Sequence, residues 1–284
     1  MILPLIAIDT LPLSAASGLV ELRETLWTVA DDETVLVGST SVGVWNERIV
    51  LVSDRLPADP VDRKRRKPDF EAIAVLPDER LFVLGSGSTP SRRRGVVVDL
   101  RARVPDVIDL TPLFLALEEQ IPELNLEGAV VHGNALFLAQ RGNGASAGNA
   151  LVRLDLSRVL ASMARFELGA DTLESIVRVE LPNVDGVPLG LTDLASDGRD
   201  LYFSAAAEDS VSTYDDGVCL GSVLGRVSED GNVTSLRPLE GRAKIEGLSV
   251  KRTDAGDVRA LLVADPDDRG VIAQLFRIDA LALG

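Results

Sequence analysis

A chain of 284 residues is long enough to bury a large core, and with 46% hydrophobic and 26% charged residues it has globular composition, which excludes a disordered or collagen-like chain. Its 29 basic against 44 acidic residues leave a net charge of −15, which argues against a general nucleic-acid or anionic-membrane binder. A single cysteine, Cys219, and a single histidine, His132, exclude an intrachain disulfide, a thiolate cluster and a histidine-rich metal site.

The first twelve residues are apolar but carry no Lys or Arg ahead of the hydrophobic stretch, and Pro4, Asp9 and Pro12 interrupt them, so they do not read as a signal peptide. No later run reaches the ~18 apolar residues that cross a bilayer. The expectation is a soluble cytoplasmic protein, or a periplasmic one if a leader has been removed.

A short figure then recurs: Ala16-Ser17-Gly18-Leu19, Phe70-Glu71-Ala72-Ile73, Leu126-Glu127-Gly128-Ala129, Leu191-Thr192-Asp193-Leu194 and Ile245-Glu246-Gly247-Leu248. Its copies are 54 to 65 residues apart, and the path from the last copy through the chain ends to the first has the same length. Most copies are followed by a polar turn and a β-rich run, as in Leu81-Phe82-Val83-Leu84 and Leu201-Tyr202-Phe203-Ser204. Each unit reads as four short strands, the pattern of a propeller blade. The predicted fold is therefore all-β, a five-bladed β-propeller spanning 1–284 as one domain. Six blades is the alternative, because residues 42–60 diverge from the repeat. Short helices are expected at 113–120 and within 158–172. The last unit has only three strands after its figure, so residues 3–10 are expected to supply the fourth and close the ring without exposed edges.

Strand a of a blade lines the central channel, where this figure places Glu71, Glu127 and Glu246, with Asp193 as a weaker fourth acid and Ser17 in the first blade. Facing carboxylates repel unless protons, basic side chains or a cation compensate them. Calcium suits such a set, since it accepts carboxylate, hydroxyl, carbonyl and water oxygens together. The other reading is that these acids accept backbone amides and brace the blades. Asp31, Arg141 and Asp265, at the ends of strands b, open at the same mouth and are candidates for catalysis; their plainer role is turn chemistry. Two basic runs, Arg63-Lys64-Arg65-Arg66-Lys67 and Ser91-Arg92-Arg93-Arg94, lie on loops that emerge at this mouth. Arg92, Arg93 and Arg94 are thus candidates for binding an anionic ligand, or else form a solvated loop that touches a protein partner. The glycine-rich run 142–148 lacks the lysine of a P-loop. His132 falls in an a-to-b turn towards the opposite face, and Cys219 reads as an inert thiol.

These acid-bearing figures resemble those of the calcium-associated propellers of phytase-like and nucleotidase-like type. The runs Lys67-Pro68-Asp69-Phe70-Glu71-Ala72 and Gly85-Ser86-Gly87-Ser88, the latter followed by arginines, are similar to those of uncharacterised bacterial propeller proteins. Five-bladed calcium-activated nucleotidases hold an ion in the channel near acids of this kind, so the resemblance implies a metal at Glu71, Glu127 and Glu246. The first blade departs from it, with Ser17 in place of an acid.

Two functions follow. One is a metal-dependent hydrolase of a phosphoester or comparable anionic small molecule, with Arg92 to Arg94 and Arg141 stabilising negative charge and Asp31, Asp265 or a channel glutamate taking the proton. The other is a non-catalytic scaffold that binds a small ligand or a protein.

Overall fold

The computed structural model describes residues 1–142, 148–209, 217–281 and 283. It contains five antiparallel sheets, four of them ordered outward from an innermost channel strand and the fourth blade's carrying the two-residue strand Asn183–Val184 beside its channel strand. Those channel strands are Ala16–Leu22, Phe70–Val75, Leu126–His132, Val187–Ser196 and Lys244–Arg252. The chain is thus an all-β five-bladed propeller.

Five sheets rather than six arise because the divergent stretch 42–60 forms no further blade: it supplies Glu47–Val50, which pairs with Val35–Ser39 as the outermost strand of blade one. It then runs into the short helix Pro60–Arg66, whose start is capped by the Asp59 carboxylate accepting the Asp62 amide at 2.9 Å. Two other helices, Thr111–Glu118 and Leu156–Met163, overlap the ranges 113–120 and 158–172 but each begins two residues earlier.

Middle strands such as Leu81–Gly85 and Ala135–Gln140 are buried on both faces, because each sheet is sandwiched between two others. That double burial explains their unbroken apolar runs. Between successive blades lies a separate apolar cluster: Trp27 and Phe70 between one and two, Phe82 and Leu136 between two and three, Phe137 and Phe203 between three and four, Tyr202 and Phe276 between four and five, and Leu275 and Val37 between five and one.

The ring is closed by Ile6–Thr10, which pairs antiparallel with Gln274–Ile278, from Ile6 opposite Arg277 to Thr10 opposite Gln274. The expected strand 3–10 is divided at Pro4, which cannot donate to a ladder. Leu3, ahead of it, bridges Leu239 of blade four, donating its amide to Pro238 and accepting that of Glu240, both at 2.9 Å. The amino-terminal segment therefore fastens two blades. No helix among the described residues is long and apolar enough to cross a membrane.

Candidate functional site

Every channel strand carries a β-bulge at its recurring figure. The register slips between Ser17 and Leu19, Phe70 and Ala72, Leu126 and Gly128, Leu191 and Asp193, and Ile245 and Gly247. The residue left out of each ladder is Gly18, Glu71, Glu127, Thr192 or Glu246. Because a bulge re-aims the side chain it frees, the three glutamates turn into the channel mouth. In blade one the bulge falls on Gly18 (φ +59°), one residue beyond Ser17, which stays paired with Val29 while still lining the mouth. A side chain at Gly18 would meet Ile73 Cγ2 at 2.9 Å, so this blade offers no bulge acid.

The mouth encloses about 250 Å³. Among the described residues, ten carboxyl side chains and six basic ones line it, a formal excess of four negative charges. They divide into two groups.

In the group held by blades three to five, Arg141 sits just past Ala135–Gln140. Its Nη2 lies 2.6 Å from Glu208 Oε2, and its Nη1 lies 3.3 Å from Glu246 Oε1 and 3.6 Å from Glu127 Oε1. Gly190 makes room for it, since a Cβ there would stand 2.9 Å from Arg141 Cγ. Lys244 Nζ approaches Asp267 at 2.7 Å, Glu246 at 3.2 Å, Glu208 at 3.4 Å and Asp265 at 3.9 Å. Two basic side chains thus compensate Glu127 and Glu246 where a cation was expected. One oxygen, Glu246 Oε2, is buried and accepts no hydrogen bond.

The second group lies on blades one and two. Lys67, just after the helix Pro60–Arg66, bridges Asp31 and Asp69, with 2.9 Å between its Nζ and Asp69 Oδ1. Arg92 Nη1 meets the other oxygen of Asp69 at 2.7 Å, and Ser86 donates to that oxygen. Oxygens of Asp31, Asp69 and Glu71 all lie within 4.8 Å of one another. Asp31 Oδ1 is buried without a hydrogen-bond partner, and no hydrogen bond or ion pair reaches Glu71, 9% exposed, among the described residues.

Burial governs the protonation of these acids. It pushes Glu127 and Asp265 up to about 8, against the opposing pull of Arg141 on the first and Lys244 on the second. Glu71 rises well above the usual carboxylate range through burial and then the charges of Glu127, Asp69 and Asp31. Asp69 goes the other way, because Lys67 and Arg92 outweigh its burial. For Lys67, burial disfavours the charge, but Asp69 and Asp31 overcome it and keep the side chain cationic.

Asp193 does not join the mouth. The bulge falls on Thr192, so the next side chain turns away: the Asp193 carboxylate accepts the amides of Leu194 and Leu248, both at 2.7 Å, and also that of Leu19. It braces blades four, five and one. The arginine run also disperses. Arg92 lines the mouth, whereas Arg93 pairs with Glu118 and Arg94 with Asp54 (2.6 Å), so the three form no common anion site. Of the first basic run, Lys64 and Lys67 line the mouth, while Arg63 bonds to the Asp32 carbonyl and to Glu33. Asp31, Arg141 and Asp265 do share the mouth. His132 bonds Ser196 at 2.8 Å at the far end of its strand, and residues 143–147 of the glycine-rich run lie outside the described residues.

Sequence reasoning missed Asp69 and Lys244. Both stand two positions before a bulge glutamate, as does Asn125, whose side chain donates to Glu127 at 2.6 Å. Alternation puts such residues on the same strand face, and this was the available signal.

Fold and site together define a five-bladed propeller with a charged, acid-rich cavity at one mouth of its channel. The chain belongs to the family of unknown function DUF6929, which it matches over residues 12–279. No curated protein matches it. Among solved structures, the glutaminyl cyclase of Myxococcus xanthus is similar over 99% of this chain and 100% of its own, at 14% identity and a TM-score of 0.53. Regucalcin, a calcium-binding protein of Agrobacterium tumefaciens, is similar over 99% of this chain and 95% of its own, at 13% identity and a TM-score of 0.49. At 14% identity the likeness to the cyclase establishes the fold alone.

Proposed function

We propose that the mouth binds a divalent cation beside Asp31, Asp69 and Glu71 and acts there as a hydrolase on a small polar molecule. The observation that carries this reading is the clustering of these carboxylates within 4.8 Å, with Asp31 Oδ1 buried without a hydrogen-bond partner and no donor to the Glu71 carboxyl among the described residues. The donor set is all oxygen and so suits calcium or magnesium, and calcium tolerates its irregular geometry better. Lys67 and Arg92 already engage both oxygens of Asp69, so Asp31 Oδ1 and Glu71 are the leading ligands and Asp69 a shared neighbour. Three carboxylates against two basic groups leave one negative charge, which a proton on Glu71 or a share of a cation neutralises.

When bound, the cation would polarise a substrate oxygen and acidify a water. The chain's own groups supply the rest. Glu127 and Asp265, with pKa near 8, hold or release a proton at neutral pH. An anionic substrate group would lie against Lys64, Lys67 and Arg92, the basic side of the mouth. This is the reaction class implied by the resemblance to phytase-like and calcium-activated nucleotidase-like propellers. A panel of phosphoesters and carboxylic esters, assayed with calcium and with chelator, tests it: hydrolysis lost on chelation and in Glu71→Gln is the expected result.

A second reading, a binding scaffold without catalysis, is favoured by the saturation of Arg141 and Lys244 with carboxylates, which leaves little basic capacity on that side. Calcium binding without turnover of any panel member would select it.

A further inference from the structure

A second cavity of about 500 Å³ adjoins the mouth and shares Lys244, Asp265 and Asp267 with it. It lies between blades four and five, walled by the start of the strand Val218–Val227 and by the segment beyond Val258–Asp265. Its walls are largely aliphatic. Val218 is 69% exposed, Val271 47% and Ile272 55%, although side chains of this size are ordinarily drawn into a core. Cys219, whose thiol burial pushes up, adds a neutral, weakly polar surface. On the rim stands Arg242, exposed, with no hydrogen bond or ion pair among the described residues.

We infer that this groove holds the aliphatic arm of the molecule whose polar end occupies the channel mouth, and that Arg242 reads a carboxylate carried on that arm. The inference deepens the proposed function, on which it rests for the polar end, by naming the substrate class: a small molecule joining a polar head to an aliphatic carboxylate. Lys244, Asp265 and Asp267 line both cavities, which sets the groove directly beside the mouth. The volume falls within the range of small-molecule pockets. Charge complementarity decides the group at its end, since a guanidinium beside apolar walls suits a carboxylate accepted through two parallel hydrogen bonds.

Calorimetric titration of the full chain with butanoate, hexanoate and octanoate tests the groove without knowledge of the head. Affinity should rise about fourfold per added methylene. Ile272→Asp should flatten that dependence, and Arg242→Gln should weaken every member by about tenfold. Both residues are exposed, so the variants should melt as the unaltered protein does. Affinity independent of chain length, or unaffected by both substitutions, would overturn the inference. Glu71→Gln separates it from the reading of the mouth, since that variant should lose calcium and keep the carboxylate series. Calcium binding without the series would remove the groove; the series without calcium would leave the groove standing and remove the cation.

Discussion

Lys67 Nζ lies 2.9 Å from Asp69 Oδ1, two residues away along the chain at the entrance to blade two, and the same ammonium bridges Asp31 of blade one. This contact decides how the cluster can be tested. An ammonium already shares the carboxylates that an ion would use, so Lys67→Met should leave Asp31 and Asp69 short of a positive charge. It should strengthen calcium binding while lowering stability by about 3 kcal/mol in its absence. Calcium-dependent melting of the variant reads both effects.

Arg141 offers the contrasting case. It faces Glu127, Glu208 and Glu246, all buried, and its removal takes away the guanidinium that offsets the burial of these three acids. Arg141→Met should cost about 3–5 kcal/mol by urea denaturation. Rescue of that loss by millimolar calcium would mean that an ion can take the guanidinium's place.

Stability should fall as pH rises from about 5 to 8. Glu127 and Asp265 titrate near 8 in the folded protein but near 4 when unfolded, so the folded state binds more protons across that window and is progressively disfavoured as they leave. Their contribution is fully present below the unfolded values and lost through pH 8. Urea midpoints at pH 5, 6.5 and 8 measure it, and Glu127→Gln should flatten the slope.

Asp193→Asn should destabilise by about 1–3 kcal/mol without altering calcium affinity. The carboxylate accepts the Leu194 and Leu248 amides, one on each oxygen, and an amide side chain offers a donor where one of those acceptors stood. Chemical denaturation and calcium titration of one variant separate the bracing role from a ligand role.

The blade count and ring closure were legible because the period of the bulge figure runs through the whole chain and its ends meet. The bulge itself was not: alternation of apolar residues does not say which residue leaves the ladder, so the sequence points to Ser17 rather than Gly18 in blade one and to a mouth position for Asp193, the residue after the bulged Thr192. The glutamates Glu71, Glu127 and Glu246 could be placed, but their partners could not. Arg141 reaches Glu246 across 105 positions of sequence, and only the closed ring brings them within 3.3 Å. The arginine run shows the same limit, since Arg92, Arg93 and Arg94 are adjacent in sequence yet pair with Asp69, Glu118 and Asp54 in three directions.

Equilibrium dialysis against calcium, on the unaltered protein and on Glu71→Gln, Asp31→Asn and Glu127→Gln, tests the central claim most directly. One ion per chain should be retained by the unaltered protein and by Glu127→Gln, with binding lost in Glu71→Gln and Asp31→Asn. The ion should also raise stability by about 2.7 kcal/mol at a hundredfold excess over Kd. No calcium retained at millimolar concentration, or retention unchanged in Glu71→Gln and Asp31→Asn, would contradict a cation site at these residues.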